Sequence, residues 1–441
     1  MALRLTDRYF DRPSFERLVE GLDAQWVEDA LAASGTATMR RRRLPAEQAV
    51  WLVLGMALYR GMSIVEIVEH LQLALPDGSG RAVAPSAPVQ ARARLGDEAI
   101  RWIFERCARE WGHSAARRHA WRGLALYGVD GTTMRVPDSP DNRATFGGQT
   151  GRSETHSSYP QVRMVTLMAL RTHLLAAASF GAYTAAELTL AEDLWAEVPD
   201  CSLCIVDRGF FTATTLTALA SSGSDRHWLT RARKRTQLRT IKRLGKDDEL
   251  VEIVLGDSTR QRLGPGLPQT WIARAVRYQR PGFPPQILLT SMLDHRRYPA
   301  REIAALYHER WELELGFDEV KTEMLDREEA LRSQSPRGVA QEIWALALVY
   351  NLVRAEMERI ADDAGVPPTR ISFVTALHLI RGFWFLAARI APGRLPRQLQ
   401  KLRGDLSRFI LPERRSARSF PRAVKIKMSS YPRKRPLIEA A

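Results

Sequence analysis

Two aspartates and one short charged stretch are the parts of this 441-residue chain whose types and spacing could do chemistry. Asp130 follows the apolar run Leu124-Ala-Leu-Tyr-Gly-Val and precedes Gly131-Thr132-Thr133, and Asp207 follows Cys201-Ser-Leu-Cys-Ile-Val and precedes Arg208-Gly209-Phe210. Each reads as a carboxylate at a strand end with glycine in the turn behind it. Asp-Gly is also ordinary turn chemistry, so neither aspartate alone makes a site. Carboxylates displayed at neighbouring strand ends can share a divalent metal, because Mg²⁺ is a hard cation that takes oxygen ligands from carboxylates, phosphates and water. Further along, Tyr307, Arg310, Glu314 and Lys321 stand at offsets 0, 3, 7 and 14. At about 100° per residue these offsets fall within an arc of about 60° on one face of an ideal helix. Such a stripe can hold a metal through Glu314 and clamp a phosphodiester with Arg310, Lys321 and the Tyr307 hydroxyl. A solvated face with salt bridges at four-residue spacing would show the same pattern.

The elements that must position these residues fall into an ordered series. Residues 14–31, 45–60 and 63–75 carry apolar side chains at helical spacing. After a loop rich in Pro, Gly and Ser, Pro85-Ser86-Ala87-Pro88-Val89-Gln90-Ala91-Arg92-Ala93-Arg94-Leu95-Gly96 reads as a short helix that Ser86 could cap. With residues 63–75 it could form a helix-turn-helix-like pair, with Gln90, Arg92 and Arg94 facing a DNA groove; a helical cap with solvated arginines is the plainer alternative. From Leu124 the texture changes to strands at 124–129, 162–169, 174–180, 201–206 and 227–231, interleaved with helical stretches at 184–197 and 212–221. Residues 232–297 break that rhythm with alternating polar and apolar pieces and a basic opening (Arg233, Lys234, Arg235, Arg239, Lys242, Arg243), and read as a β-rich insertion. Helices return at 299–326, 339–361 and 371–389.

The composition narrows the partner. Lys and Arg number 65 against 50 Asp and Glu, a net charge of +15, and the pI is near 10.1. The basic residues concentrate at Arg40–Arg43, at Arg233–Arg243 and in a tail from Arg414 to Arg435. Such a balance suits a polyanion, nucleic acid or a membrane surface. No charge-free apolar stretch reaches the roughly 18 residues of a membrane span, and the opening Met1-Ala-Leu-Arg lacks the apolar block of a secretory signal, so a cytoplasmic location is expected. Three cysteines make no disulfide framework. Cys201 and Cys204 read as part of a buried strand rather than half of a zinc site.

The spacing Tyr-(2)-Arg-(3)-Glu-(6)-Lys at 307, 310, 314 and 321 resembles the signature of the insertion sequence 4 family of DDE transposases, and Asp-Gly-Thr-Thr at 130–133 and Asp-Arg-Gly-Phe at 207–210 resemble that family's first two catalytic blocks. The Arg-Arg-Arg-Leu-Pro segment at 41–45 and Gln-Ala-Arg-Ala-Arg-Leu-Gly at 90–96 resemble its N-terminal domain, and Leu331-Arg-Ser-Gln-Ser-Pro, Tyr350-Asn351-Leu352-Val353-Arg354 and Arg418-Ser-Phe-Pro-Arg422 resemble its C-terminal helices and tail, so the likeness covers nearly the whole chain. The resemblance implies an α/β architecture: an RNase H-like catalytic domain interrupted by an all-β insertion, with helical N-terminal and C-terminal regions. The corresponding domains are an N-terminal DNA-binding domain (1–118), catalytic core (119–231 and 298–360), insertion (232–297) and C-terminal region with a basic tail (361–441). It implies further that Asp130, Asp207 and Glu314 are the catalytic acids and metal ligands for two Mg²⁺ or Mn²⁺ ions, and that Tyr307, Arg310 and Lys321 hold DNA phosphates.

The substrate implied is double-stranded DNA, the terminal inverted repeats of an insertion sequence and a target, cut and joined through strand transfer and hairpin ends. A homodimer pairs the two ends, and the protein associates with the bacterial nucleoid when DNA-bound. A flipped base near the cut end would need an aromatic platform, for which Trp311, Trp271 and Trp228 are candidates. A non-catalytic DNA-binding protein derived from a transposase, or an RNase H-superfamily nuclease, are the rival readings. The intact acid triad speaks against the first, and the second leaves Tyr307, Arg310 and Lys321 without a role.

Overall fold

The computed structural model describes residues 22, 24–36, 44–71, 73, 84–149, 159–256, 261, 271–279, 284–325, 330–387 and 392–413. The basic segments Arg40–Arg43 and Arg414–Arg435 lie outside the described residues. Among the described residues nine strands form one sheet: β1 (Ala125–Arg135), β2 (Gln161–Ala169), β3 (Leu175–Ala182), β4 (Ser202–Val206), β5 (Arg226–Arg231), β6 (Leu238–Gly245), β7 (Asp248–Ile253), β8 (Trp271–Tyr278) and β9 (Gln286–Thr290). Their order is β3-β2-β1-β4-β5-β9-β8-β7-β6. The first five fit an RNase H-like fold: β1, β2 and β3 form an antiparallel meander, and β4 and β5 run parallel to β1.

The insertion differs from the expectation in two ways. It is no separate body, because β9 pairs antiparallel with β5 (Leu229↔Thr290) and β6–β9 prolong the catalytic sheet. Strand β5 would otherwise leave a row of unpaired backbone groups at an edge, and β9 satisfies them. Nor is "all-β" strictly right, since Gln261 is helical.

Alternation along the strands divides the core. On β4, Leu203 and Ile205 join one cluster and Cys204 and Val206 the other. The first cluster also holds the N-terminal helices Ala46–Leu58 and Glu98–Cys107, the helix Pro336–Ala364 and the C-terminal helices Phe373–Ala387 and Leu395–Leu406. The N-terminal helical region therefore shares its core with the catalytic sheet and the C-terminal helices. Helix Pro336–Ala364 has clear local causes: Ser335 caps it by accepting from the Gly338 N–H, Pro336 occupies its first turn, and Gly365 ends it at φ 64°. Ser63 and Glu66 likewise form a capping box ahead of Ile64–His70. Ser86, by contrast, is the first residue inside Ser86–Leu95 and caps nothing.

Among the described residues no helix is long and apolar enough to cross a membrane. Cys204 is buried in β4 as read, but Cys201 is exposed just before it at φ 56°, outside the buried strand expected to contain both.

Candidate active site

Strands β1 and β4 run side by side with Val129 opposite Val206, so the next residue on each, Asp130 and Asp207, emerges at the same level. Alternation sends both toward one face: Leu126 and Gly128 precede Asp130 as Leu203 and Ile205 precede Asp207, and Leu126, Leu203 and Ile205 belong to the first cluster. Asp130 corrects the reading of its surroundings. It is not at a strand end, because β1 continues through Gly131 to Arg135, paired with β2 as Asp130↔Thr166 and Gly131↔Val165. Only the parallel ladder to β4 stops there. At Asp207 the strand does end, and the carboxylate accepts from the Arg208 N–H at 2.6 Å to open a short 3₁₀ turn.

The signature segment covers that face. It is not one helix but two α-helices, Ala300–His308 and Trp311–Asp318, with a break at Glu309–Arg310 and a π-helical stretch at Glu319–Met324. The ideal-helix arithmetic therefore fails past Asp318, and Lys321 lies on the π-helical turn. Two glycines set the close approach. A methyl at Gly128 would stand 2.7 Å from Cδ1 of Leu313, and one at Gly316 would stand 2.9 Å from the sulfur of Met168 on β2. Leu313 is fully buried there, a contact worth roughly 1.5–3 kcal/mol. Its neighbour Glu314 is thereby delivered to the end of the sheet that carries the aspartates.

Arg310 joins these groups. Its Nη2 donates to Glu314 Oε1 at 3.0 Å and its Nη1 lies 3.9 Å from Asp130 Oδ2. Burial alone would lower its pKa, but the bond to Glu314 and the charges of Tyr307, Glu314 and Asp207 hold it above the ordinary range. Burial pushes the Asp130 carboxyl up to about 6, against the pull of the Gly131 N–H and Arg310 and with added repulsion from Glu187 and Asp207. Tyr307 is buried, which raises its phenol and keeps the hydroxyl a donor at neutral pH.

Among the described residues no three His, Cys, Asp or Glu side chains already stand at metal-holding spacing. The chemistry of the donors nevertheless fits a hard cation: Asp130 and Glu314 are partly exposed carboxylates, and the guanidinium between them marks where this cluster accepts positive charge.

Sequence reasoning missed Glu187, whose carboxyl lies over Gly131 and faces Arg163 at 3.8 Å. No motif surrounds it; only the tertiary fold brings it there. Arg233, the first residue of the insertion's basic opening, donates to the carbonyls of Arg208 and Gly209 and so braces the second aspartate block. Lys234 and Arg235 are exposed in the turn before β6, and Arg239, Lys242 and Arg243 are exposed along that edge strand.

The other expected DNA contacts divide. Trp311 is 44% exposed beside the site, with the Arg310 guanidinium 5.8 Å from its ring. Trp228 and Trp271 are core residues, 5.5 Å apart, and offer no platform. Gln90 is exposed and Arg94 partly buried. Arg92 does not face a groove: its guanidinium is turned inward to Gln341, Ser333, the Gly338 carbonyl and Glu342, and burial lowers its pKa. An apolar junction with one buried carboxylate, Glu342, draws the arginine in.

A family model described as the transposase DDE domain matches residues 121–352, and one described as the insertion element 4 transposase N-terminal region matches residues 12–105. The chain is 40% identical over 433 residues, 98% of its length and 97% of the relative's, to the transposase InsG for insertion sequence element IS4 of Escherichia coli K12. It is 34% identical to a putative transposase InsZ of the same strain over 49% of its own length and 71% of the relative's. A solved piggyBac transposase synaptic complex with hairpin DNA aligns at TM-score 0.41 and 12% identity, covering 93% of this chain and 85% of that one.

Proposed function

The chain belongs to the insertion sequence 4 family of DDE transposases and is a DNA transposase, and from that premise we propose that Asp130, Asp207 and Glu314 are its catalytic acids. The observation that carries this reading is the β1–β4 register, with Asp130 and Asp207 emerging side by side on the face that the Glu314 segment covers. The three acids would hold two Mg²⁺ or Mn²⁺ ions. Bound there, they would supply Lewis-acid activation of a water and of a 3′-hydroxyl for in-line attack and charge stabilisation at the leaving oxygen.

The chain's own residues do the rest. Arg310 carries both the charge that the acids need when no cation is present and the planar fork that a phosphate accepts, so acids and DNA compete for it. Tyr307 donates a hydrogen bond to the same strand, and Lys321 adds a point charge further along. These contacts position the end rather than read its sequence. Trp311, exposed next to Arg310, supplies a stacking face for a base drawn out near the cut. The β6 edge, with Gln90 and Arg94 of the N-terminal region, extends the basic surface along the duplex. The substrates are the element's terminal inverted repeats and a target DNA, paired by a homodimer and joined by strand transfer with hairpin ends on the way. The domain division is the one set out from the sequence, with 232–297 joined to the core through β9.

A supercoiled plasmid carrying the element's inverted repeats tests the assignment. With Mg²⁺ the wild type is expected to cut at the repeats, and Asp130→Ala and Asp207→Ala to bind them without cutting. Robust cutting by either variant would defeat the triad.

A further inference from the structure

The back of the signature segment is as charged as its front, and every one of these charges is engaged. Arg354, 2% exposed in the middle of helix Pro336–Ala364, forms an ion pair with Glu319 and donates to His173 Nδ1 at 2.6 Å. Arginine has no acceptor, so Nδ1 of His173 must accept and Nε2–H must donate, and Nε2 points at Glu312 Oε2 at 2.8 Å. Tyr350 Oη donates to Glu319 Oε2 at 2.8 Å. His173 sits in the β2–β3 turn at φ 62°, a conformation that side-chain-bearing residues seldom adopt. Two residues earlier in the same turn, Arg171 grips Glu309 with two bonds of 2.9 and 2.8 Å. A strained, fully buried histidine held between an arginine and two acids of one helix is a costly arrangement for packing alone.

Its location gives it a purpose. All the acids it holds belong to the segment that delivers Glu314, and Glu319 is the residue at which that segment passes from α to π geometry. Such π turns recur at functional sites, where they re-phase the residues that follow. Resting on the reading of Glu314 as a catalytic acid, we infer that Arg354, Tyr350 and His173 are positioning residues: they fix the carboxylates of Glu319 and Glu312 and so hold Glu314 against Asp130 and set the phase of Lys321. Glu319 is buried, which alone would raise its pKa, yet the Arg354 guanidinium beside it brings it down to about 2, so it is ionised and held. The Gly316–Met168 contact completes the seat, with the Tyr350 hydroxyl 3.2 Å from where a Gly316 methyl would stand.

The test compares full-length wild type, Tyr350→Phe, which loses one hydroxyl, Arg354→Lys, which keeps charge but not the fork, and Glu314→Gln. Each is pre-bound to a radiolabelled transposon end, and single-turnover cleavage is normalised to folded, end-bound enzyme. Mn²⁺ binding is read separately from free Mn²⁺ by electron paramagnetic resonance. Cleavage is expected to slow about tenfold in Tyr350→Phe and about 10²-fold in Arg354→Lys, with end affinity within about twofold of wild type. The Mn²⁺ midpoint should rise in the same order, which a loss of stability alone would not cause. Wild-type rates and Mn²⁺ midpoints in both variants, with Glu314→Gln inactive, would overturn the inference and leave the triad standing. Cleavage by Glu314→Gln would overturn the triad itself.

Discussion

On the face of the signature segment turned to Asp130 and Asp207, Arg310 divides itself between carboxylates at 3.0 and 3.9 Å, and the acids keep some contact with solvent. On the opposite face Arg354 is sealed from water with Glu319, His173 and Tyr350 around it. The titration of the acids differs in sign as well: burial pushes Asp130 up to about 6, while its partners hold Glu319 down to about 2. The signature segment thus carries a face whose charges await other partners and a face whose charges have already found them. Sequence proximity to a signature does not separate these two kinds of acid; the completeness of their partnerships does.

The contrast can be broken most directly by removing an acid from each side. Glu314→Ala should cost at least about 10⁴-fold in end cleavage, whereas Glu309→Ala, which loses its pair with Arg171, should stay within about tenfold, as measured by single-turnover cleavage of a labelled end. Comparable losses from both would erase the distinction. Stability should respond in the opposite sense. Arg354→Met leaves Glu319 buried without its cation and is expected to cost about 3–5 kcal/mol in urea unfolding.

Next in size comes the pH dependence of the metal-free protein. A carboxyl whose pKa is raised by folding favours the folded state below its unfolded value of 3.8, and loses that advantage as pH climbs through about 6. Ionised Asp130 is therefore a burden at neutral pH, and Asp130→Asn should stabilise the metal-free protein by up to about 3 kcal/mol at pH 8 and by nothing at pH 4. Glu319 behaves in reverse. Its contribution is present above 4.5 and fades as pH falls toward about 2, so the destabilisation caused by Glu319→Gln should shrink on acidification. Thermal melts of both variants at pH 3, 5 and 8 would check the pair, and parallel pH trends would contradict it. The smallest effect is expected from Arg310→Ala, which should weaken end binding and lower the slope of log affinity against log salt by about 0.9, the share of one phosphate contact.

Much of this was legible in the residues, and the reasons are physical. Apolar runs and alternation placed β2, β4 and β5 within a residue or so, because a buried strand must present apolar side chains on both faces. Asp130 and Asp207 were legible because both stand directly after such runs. The Asp-Gly pair misled, since it signals a turn only where no neighbouring strand continues the ladder, and β2 does continue it. The break at Glu309–Arg310 and the π-helical turn at Glu319 were invisible to a calculation that assumes one regular helix. Arg92 and Glu187 failed for a shared cause: the partner that turns Arg92 inward, Glu342, is remote in the chain, and so is the strand position that Glu187 covers. The β5–β9 pairing is likewise a long-range event with no local mark.

The shared core of the N-terminal helices and helix Pro336–Ala364 has a consequence in time. Helices Ala46–Leu58 and Glu98–Cys107 bury their apolar faces against a partner whose first residue is translated more than two hundred positions later. At synthesis rates of about 5–20 residues per second, they wait roughly ten to fifty seconds on the ribosome for the surface that completes them. The N-terminal region is therefore among the first parts made and among the last to reach its final packing.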